Sequence, residues 1–271
     1  REVSEQIRSI FNRYTNLIEP LSLDEAYLDV TDCSTHSGSA TLIARQIRQD
    51  IFDETGLTAS AGVAPNKFIA KIASDENKPN GQCVITPNDV DAFVQNLPLK
   101  KIPGVGSKTA EKLSRSGLDT CADVRQSSIA KLQLIVGKSA TSLYQRSHGI
   151  DHRALETSRI RKSLAIETTL AEDISGEQAC LQTIKDLQPK LEERLERVSD
   201  RAIAKQGVKV KFSDFTQTTV EQRSDFMNEQ LFQALLQKAI SRSNGKSIRL
   251  IGLTLGFEEK KAKQAQMALP L

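Results

Sequence analysis

The 271-residue chain has no tryptophan, two methionines and four cysteines, and aromatic residues make up only 4% of it. So few rings argue against a protein that works mainly by stacking bases on aromatic platforms. The cysteines, Cys33, Cys83, Cys121 and Cys180, lie far apart and form no CxxC pair. That spacing supports neither a zinc site nor a disulfide framework, and it fits a reducing compartment, so a cytoplasmic location is expected. His148 and His152 stand four apart, but Gly149 separates them and no third ligand is near, so they read as a loop at a helix end. No apolar run approaches about 18 residues, so no membrane-spanning helix is expected, and neither is a signal peptide. Initiator Met is also lacking: residue 1 is Arg, and "REVSEQIRSIFNRY" reads as a helix already under way. The expectation is a chain that starts inside a larger protein.

What is present is ordinary for a globular protein, with 26% charged and 38% hydrophobic residues, enough for two or three domains. The net charge of +3 and pI near 8.6 are compatible with a polyanionic partner without requiring one. Ile7, Ile10, Phe11 and Tyr14 recur at helical spacing. Short strand-like runs near 17–22 and 27–30, with "LDEA" between them, predict a hairpin. Residues 39–54 predict an amphipathic helix carrying Ile43, Ile47 and Ile51, with Gly56 just past its end. "LTASAGVA" reads as a buried strand and "PNKFIAKIASDENKPNG" as a short helix and a turn, which together suggest an α/β layer. From about residue 87 to 150 the pattern is helical and broken by glycines, and the charged connector "DHRALETSRIRK" follows. Beyond it, alternation at Leu164–Leu170, Val208–Phe212 and Ile251–Phe257 predicts three half-buried strands, with helices near 176–199 and 228–241 between them. That is a separate α+β domain of about 100 residues.

Five stretches carry chemistry. In "LSLDEAYLDV", Asp24 and Glu25 converge only where the chain turns, and there both carboxylates can reach one Mg²⁺ or simply face solvent. In "LPLKKIPGVGSKTAEKL", Gly104 and Gly106 separate two helical segments beside Lys101, Lys108 and Lys112. That is the pattern of a helix-hairpin-helix, which grips DNA phosphates through exposed backbone N–H groups without reading sequence. Neither "GSKT" nor "GKS" at Gly137 has the glycine spacing of a nucleotide P-loop. Lys67 and Lys71 share a helix face, and Lys78 lies at the turn beyond; such ammonium groups suit a polyphosphate beside a metal, or a solvated helix face. In the last domain, Arg159, Arg161 and Lys162 lead into the first strand, Lys209 and Lys211 share a strand face, and Arg249 opens another strand. A basic sheet face can lie along a nucleic-acid backbone, or be an ordinary solvated face. The end, "QMALPL", is either a short peptide shaped to dock in a pocket or a frayed terminus.

In this order, "LSLDEAYLDVT", "SAGVAPNKFIAKIASDENKPNGQ", "KIPGVGSKTAEKL", "GIDHR", "RKSLAIETTLAEDI", "GVKVKFSDFTQTT" and "IRLIGLTL" make the sequence resemble a Y-family DNA polymerase of the bacterial DNA polymerase IV branch. The resemblance runs from about residue 1 to the C-terminus. It implies a multidomain α+β fold, with a partial palm of mixed α/β layer, a small all-helical thumb carrying the helix-hairpin-helix, and an α+β little finger. The implied boundaries are 1–86 for the partial palm, 87–152 for the thumb, 153–163 for a linker, 164–258 for the little finger, and 259–271 for a flexible tail. By resemblance, Asp24 and Glu25 are the catalytic metal-binding carboxylates, Lys78 contacts the incoming triphosphate, and Lys71 is a weaker candidate for the same role. Gly104, Gly106, Lys108, Arg161, Lys162, Lys209 and Lys211 are the implied DNA-binding residues. Gln266, Met267, Leu269 and Leu271 fit the family's clamp-binding peptide.

The implied activity is template-directed, low-fidelity translesion synthesis with two Mg²⁺ per site. The implied partners are primer-template DNA, deoxynucleoside triphosphates and the sliding clamp, with no membrane, the chain acting as a monomer. One departure stands out. The family's first strand with its further metal-binding Asp, and the fingers with their triphosphate-binding Arg and Tyr and their aromatic gate, have no match in these residues. The expectation is therefore that this chain binds DNA and the clamp but polymerises little by itself. From another class, a non-catalytic DNA-binding and clamp-adaptor protein is the rival reading. A helix-hairpin-helix nuclease is a further one, with no sequence feature in its favour.

Overall fold

The structure, a computed structural model, describes residues 2–198 and 200–258. The described residues form two compact units, divided between Arg159 and Ile160. The tail residues Gln266, Met267, Leu269 and Leu271 lie outside the described residues.

The first unit opens with α1 (Glu2–Asn12), then the hairpin β1 (Ile18–Pro20) and β2 (Ala26–Leu28), paired antiparallel with Glu19 opposite Tyr27. α2 (Ala40–Thr55) starts where the Ser39 side chain accepts from the Leu42 N–H and stops at Gly56, whose φ of 69° closes the last turn. Its Ile43, Ile47 and Ile51 pack on Ile10 of α1, and Tyr14 joins this cluster from the turn beyond α1 rather than from the helix. β3 (Ala61–Val63) and β4 (Gln82–Val84) are parallel, connected by α3 (Lys67–Glu76). The α/β part is thus two separate two-stranded sheets, not one continuous layer.

α3 lies hard against β3. A Cβ on Gly62 would stand 2.1 Å from the Ala70 carbonyl oxygen and 2.5 Å from the Ser74 nitrogen, both backbone atoms of the helix. Gly62→Ala should therefore destabilise the unit by about 3 kcal/mol, read as a lower urea midpoint with an unchanged m-value. Gly106→Ala, whose Cβ meets nothing within 4 Å, is the comparison and should cost no more than about 1 kcal/mol, the loss of a favourable helix-capping residue.

Small helices follow: α4 (Val90–Gln95), a 3-10 turn at Leu99–Lys101, α5 (Ser107–Ser114), α6 (Cys121–Arg125), α7 (Ile129–Val136) and α8 (Ala140–Ser147). They share one core with α3 that runs from Phe68 through Leu99, Ile102 and Leu113 to Leu143. His148 ends α8 and packs its ring on Tyr144 at 4.9 Å, as a structural residue.

The second unit is a four-stranded antiparallel sheet in the order β5 (Ser163–Ile174), β8 (Ile248–Phe257), β6 (Ile203–Phe212), β7 (Gln217–Arg223). Helices α9 (Glu177–Glu196) and α10 (Glu229–Ile240) bury Ile184, Leu191, Phe232 and Leu236 in a common cluster with Val208, Val210, Ile251 and Leu253. The alternation of β6 leaves Lys205, Lys209 and Lys211 on the other face. Three strands were expected here. The fourth, "QTTVEQR", has almost no apolar residue, because an edge strand needs only one neighbour and little burial. The cysteines of the described residues are free, and burial pushes the Cys121 and Cys180 thiols up to about 11, which makes them inert packing groups.

Candidate active site and nucleic-acid surface

Asp24 and Glu25 sit in the turn between β1 and β2. The Glu25 carbonyl accepts from the N–H groups of Leu21 and Ser22, which closes the turn. Ser22 Oγ donates to Asp24 Oδ1 at 2.6 Å and accepts from the Asp24 N–H at 3.3 Å. Those bonds, with Lys78 and Lys71 nearby, hold the exposed Asp24 carboxyl below its ordinary value, so it is ionised throughout the neutral range. Glu25 turns toward α3, where its Oε1 accepts from Lys71 Nζ at 2.6 Å. The bond to Glu25 holds the Lys71 ammonium protonated above its usual range.

Asp75, which the sequence reading passed over, links the two candidate lysines. Its carboxylate lies 3.7 Å from Lys71 Nζ and 2.5 Å from Lys78 Nζ. Partial burial alone would raise the Asp75 pKa, but the two ammonium groups outweigh it and leave the pKa lowered. The loop bearing Lys78 is pinned by another residue the sequence reading missed. Arg48 of α2 donates to the Asn80 carbonyl at 2.6 Å and to Asn80 Oδ1 at 2.9 Å. Asn77 Nδ2 closes the same loop on the Gln82 carbonyl at 2.8 Å. Three carboxylates, Asp24, Glu25 and Asp75, and two ammonium groups, Lys71 and Lys78, are therefore gathered across the hairpin turn, α3 and the loop beyond it.

Lys67 does not belong to this group. It is 7% exposed and bonds Glu19 Oε2 at 2.6 Å and the Ala154 carbonyl at 2.8 Å, so it is a structural cation rather than a phosphate ligand. Arg159 likewise bonds Glu19, at 3.0 Å, and so lies against the first unit rather than the sheet of the second.

The donor set suits a hard cation, since Asp24 and Glu25 offer charged oxygens at one turn. It is short in number: among the described residues no group of three or more His, Cys, Asp or Glu side chains could hold a metal.

In the glycine turn, Leu99 and Ile102 anchor the loop in the core, and Arg146 of α8 donates to the Pro103 carbonyl at 2.7 Å. Gly104 has a φ of 93°, a conformation that glycine tolerates best. Gly106 is the N-cap of α5 and brings no side chain to cap it, so the helix start is left for an outside acceptor. Lys108 and Lys112 are exposed on α5, whereas Lys101 is tied to Glu76 at 2.7 Å. The helical segment before the turn is a single 3-10 turn, shorter than the sequence pattern suggests. Gly104, Val105, Thr109 and Lys112 line a shallow cavity of about 340 Å³ with Gly137 and Ser139 of the next turn.

In the second unit, Arg161 and Lys162 are exposed just before β5. Lys209 pairs with Glu167 at 2.9 Å and Lys205 with Glu221 at 2.6 Å. Lys211 instead places its ammonium 4.9 Å from the centre of the Phe215 ring. The sheet face is thus a mixture of both charges, and Lys211, near the β6–β7 turn, faces a ring rather than a carboxylate.

An acidic turn against a lysine-bearing helix, a glycine-turn helical module and an antiparallel sheet are the three kinds of part that the resemblance implies. Comparison with known proteins gives the same class. Residues 1–75 match the impB/mucB/samB family, residues 100–151 the DNA polymerase-iota thumb domain, and residues 161–269 the impB/mucB/samB family C-terminal domain. Among solved structures, the Y-family DNA polymerase chimera Dbh-Dpo4(243-245)-Dbh is similar with a TM-score of 0.83 at 28% identity, covering 94% of this chain and 75% of that one. An insertion ternary complex of Dbh DNA polymerase is similar with a TM-score of 0.59 at 27% identity, again covering 94% and 75%. The DNA polymerase IV of Colwellia psychrerythraea is 64% identical over all of this chain and 77% of its own length. That of Shewanella sp. strain ANA-3 is 58% identical over 96% of this chain and 73% of its own. The chain belongs to the DNA polymerase IV family, within the Y-family of DNA polymerases. Among the described residues no helix is long and apolar enough to cross a membrane.

Proposed function

We propose that this chain carries part of the active site and the DNA-holding parts of a low-fidelity polymerase that adds nucleotides across damaged template bases. The observation that carries this reading is the convergence of Asp24, Glu25, Lys71 and Lys78 at one place, bridged by Asp75. Asp24 and Glu25 would hold Mg²⁺, which when bound neutralises phosphate charge and favours ionisation of the primer hydroxyl. Asp24 is kept ionised by Ser22 and so stays a ligand rather than a proton donor. Lys78, and less directly Lys71, would face the triphosphate of the incoming deoxynucleotide. Gly104, Gly106 and Lys108 would hold the primer-template backbone, while Arg161, Lys162, Lys209 and Lys211 would carry the duplex. Gln266, Met267, Leu269 and Leu271 would dock in the sliding clamp and offset a weak intrinsic grip by raising local concentration. The protein would act in the bacterial cytoplasm as a monomer.

The test uses a labelled primer-template with Mg²⁺ and all four deoxynucleotides. The protein is this chain joined to the part of the Colwellia relative that it does not span. Extension of the primer supports the reading. Tight DNA binding without extension would favour the clamp-adaptor reading, and cutting in Mg²⁺ without deoxynucleotides would favour a nuclease. Lys108→Ala with Lys112→Ala should weaken binding similarly for all duplex sequences and make its salt dependence shallower by about two in log–log slope. Fluorescence anisotropy over a salt series checks this, and an unchanged slope would remove the helix-hairpin-helix from the DNA contact.

A further inference from the structure

Two local irregularities, one in the loop joining β6 to β7 (213–216) and one in the neighbouring β8, serve the same three side chains. Phe215 has a φ of 66°, in the left-handed region, where a bulky L-residue is strained. The turn is closed by the Phe215 N–H on the Phe212 carbonyl at 2.9 Å and the Phe212 N–H on the Thr216 carbonyl at 2.8 Å. A three-residue hairpin turn of this kind ordinarily takes glycine at its left-handed position. Here the position holds a phenylalanine that is 60% exposed, so core packing does not explain it.

The other feature is a bulge. Lys211 pairs with Leu250 and Phe212 with Ile248, so Arg249 is an extra residue on β8. Bulges re-aim side chains. The Arg249 guanidinium carbon lies 4.9 Å from the Phe215 ring centre, the same distance as the Lys211 ammonium. Asp173 is 3.5 Å from Arg249, and Asp214 is taken by Lys246 at 2.7 Å. Among the described residues no carboxylate pairs with Lys211.

We infer that Phe215 is a positioning residue: its ring gathers Lys211 and Arg249 into one cationic tip that takes the phosphates of a DNA duplex. This rests on the reading that the second unit carries DNA. A ring face attracts cations without neutralising them, so Lys211 keeps its whole charge for a polyanion, while Arg249 shares its own with Asp173 at 3.5 Å and still turns to the ring. Left to themselves, two long cationic side chains on neighbouring strands would repel and spread. The strain at Phe215 is thus exchanged for a pre-ordered pair of phosphate ligands.

The experiment compares Phe215→Gly, Phe215→Leu and the double variant Lys211→Ala, Arg249→Ala with the parent chain. Each is titrated against a fluorescein-labelled primer-template duplex over a salt series, and each is melted. Phe215→Gly relieves the backbone strain, so it should melt at the same temperature or higher. It should nevertheless bind about fivefold more weakly, with a log–log salt slope shallower by about one. Phe215→Leu keeps bulk but loses the ring face and should weaken binding to a similar degree. The double variant should lose at least as much as either. Parent-like binding by Phe215→Gly with weakened binding by the double variant would overturn the positioning role alone. Parent-like binding by all variants would overturn the DNA reading of this face. A Phe215→Gly protein that melts lower and binds normally would make the ring a stability element and also overturn the inference.

Discussion

Glu19→Ala is expected to lower the stability of the first unit by about 3–5 kcal/mol, the range for stranding one member of a buried ion pair. Glu19 is 3% exposed and Lys67 is 7% exposed. The Glu19 carboxylate accepts from Lys67 at 2.6 Å, from the Glu156 N–H at 2.9 Å and from Arg159 at 3.0 Å. Without it, the Lys67 ammonium keeps the Ala154 carbonyl and the Tyr27 ring 5.6 Å away, neither of which carries a compensating charge. The segment around Ala154–Arg159 also loses its attachment to β1, so proteolysis there should accelerate. Urea melts and a limited-proteolysis time course check both effects, and a loss below 1 kcal/mol would show that water reaches Lys67.

Glu19→Gln separates charge from hydrogen bonding. Burial alone would raise the Glu19 pKa, but the bonds from Lys67, the Glu156 N–H and Arg159 outweigh it and leave the pKa lowered. A carboxyl with a depressed folded pKa stabilises above its unfolded value, about 4.3, and loses that contribution as pH falls through the folded value. The stability gap between the parent and Glu19→Gln should therefore be full at pH 7 and shrink below about pH 4. A gap that grew on acidification would contradict the assignment.

Asp24→Ala and Glu25→Ala, in a chain completed to the length of its relatives, should each lower the rate of single nucleotide addition by about 10³-fold or more. On the proposed reading each carboxylate holds the catalytic cation and acts in the transition state, so DNA affinity should hardly change. Lys71→Ala should cost less, about tenfold, because Lys78 remains beside Asp75. Rapid-quench kinetics with saturating duplex separates these effects. Equal losses for Glu25→Ala and Lys71→Ala would mean that the 2.6 Å pair acts as one structural unit and not as ligand and neighbour.

Where a motif dictates its own local geometry, the sequence was legible. "LDEA" between two apolar runs can only turn, and Ser39 with Gly56 brackets α2. The glycine turn before α5 was legible for the same reason, since Gly104 requires a left-handed backbone. What depends on distant partners was not. Lys67 and Lys71 look alike on one helix, yet Glu19 of β1 buries the first and Glu25 of the turn leaves the second part-exposed. Asp75 and Arg48 gain their roles only when α3 and the Asn80 loop are folded against them. The edge strand β7 escaped notice because its polar sequence is stabilised by backbone pairing to β6, not by burial. The mixed charge of the sheet face also needed the register, which places Glu167 and Glu221 beside Lys209 and Lys205.

The role of Asp24 and Glu25 is decided by primer extension with this chain, with and without the remaining segment of the Colwellia relative, alongside the Asp24→Ala, Glu25→Ala double variant in each form. Extension is expected only in the completed chain, with its loss in the double variant and unchanged DNA binding throughout. Extension by the completed double variant at the parent rate would contradict that role and reduce the acidic pair to an ordinary surface turn.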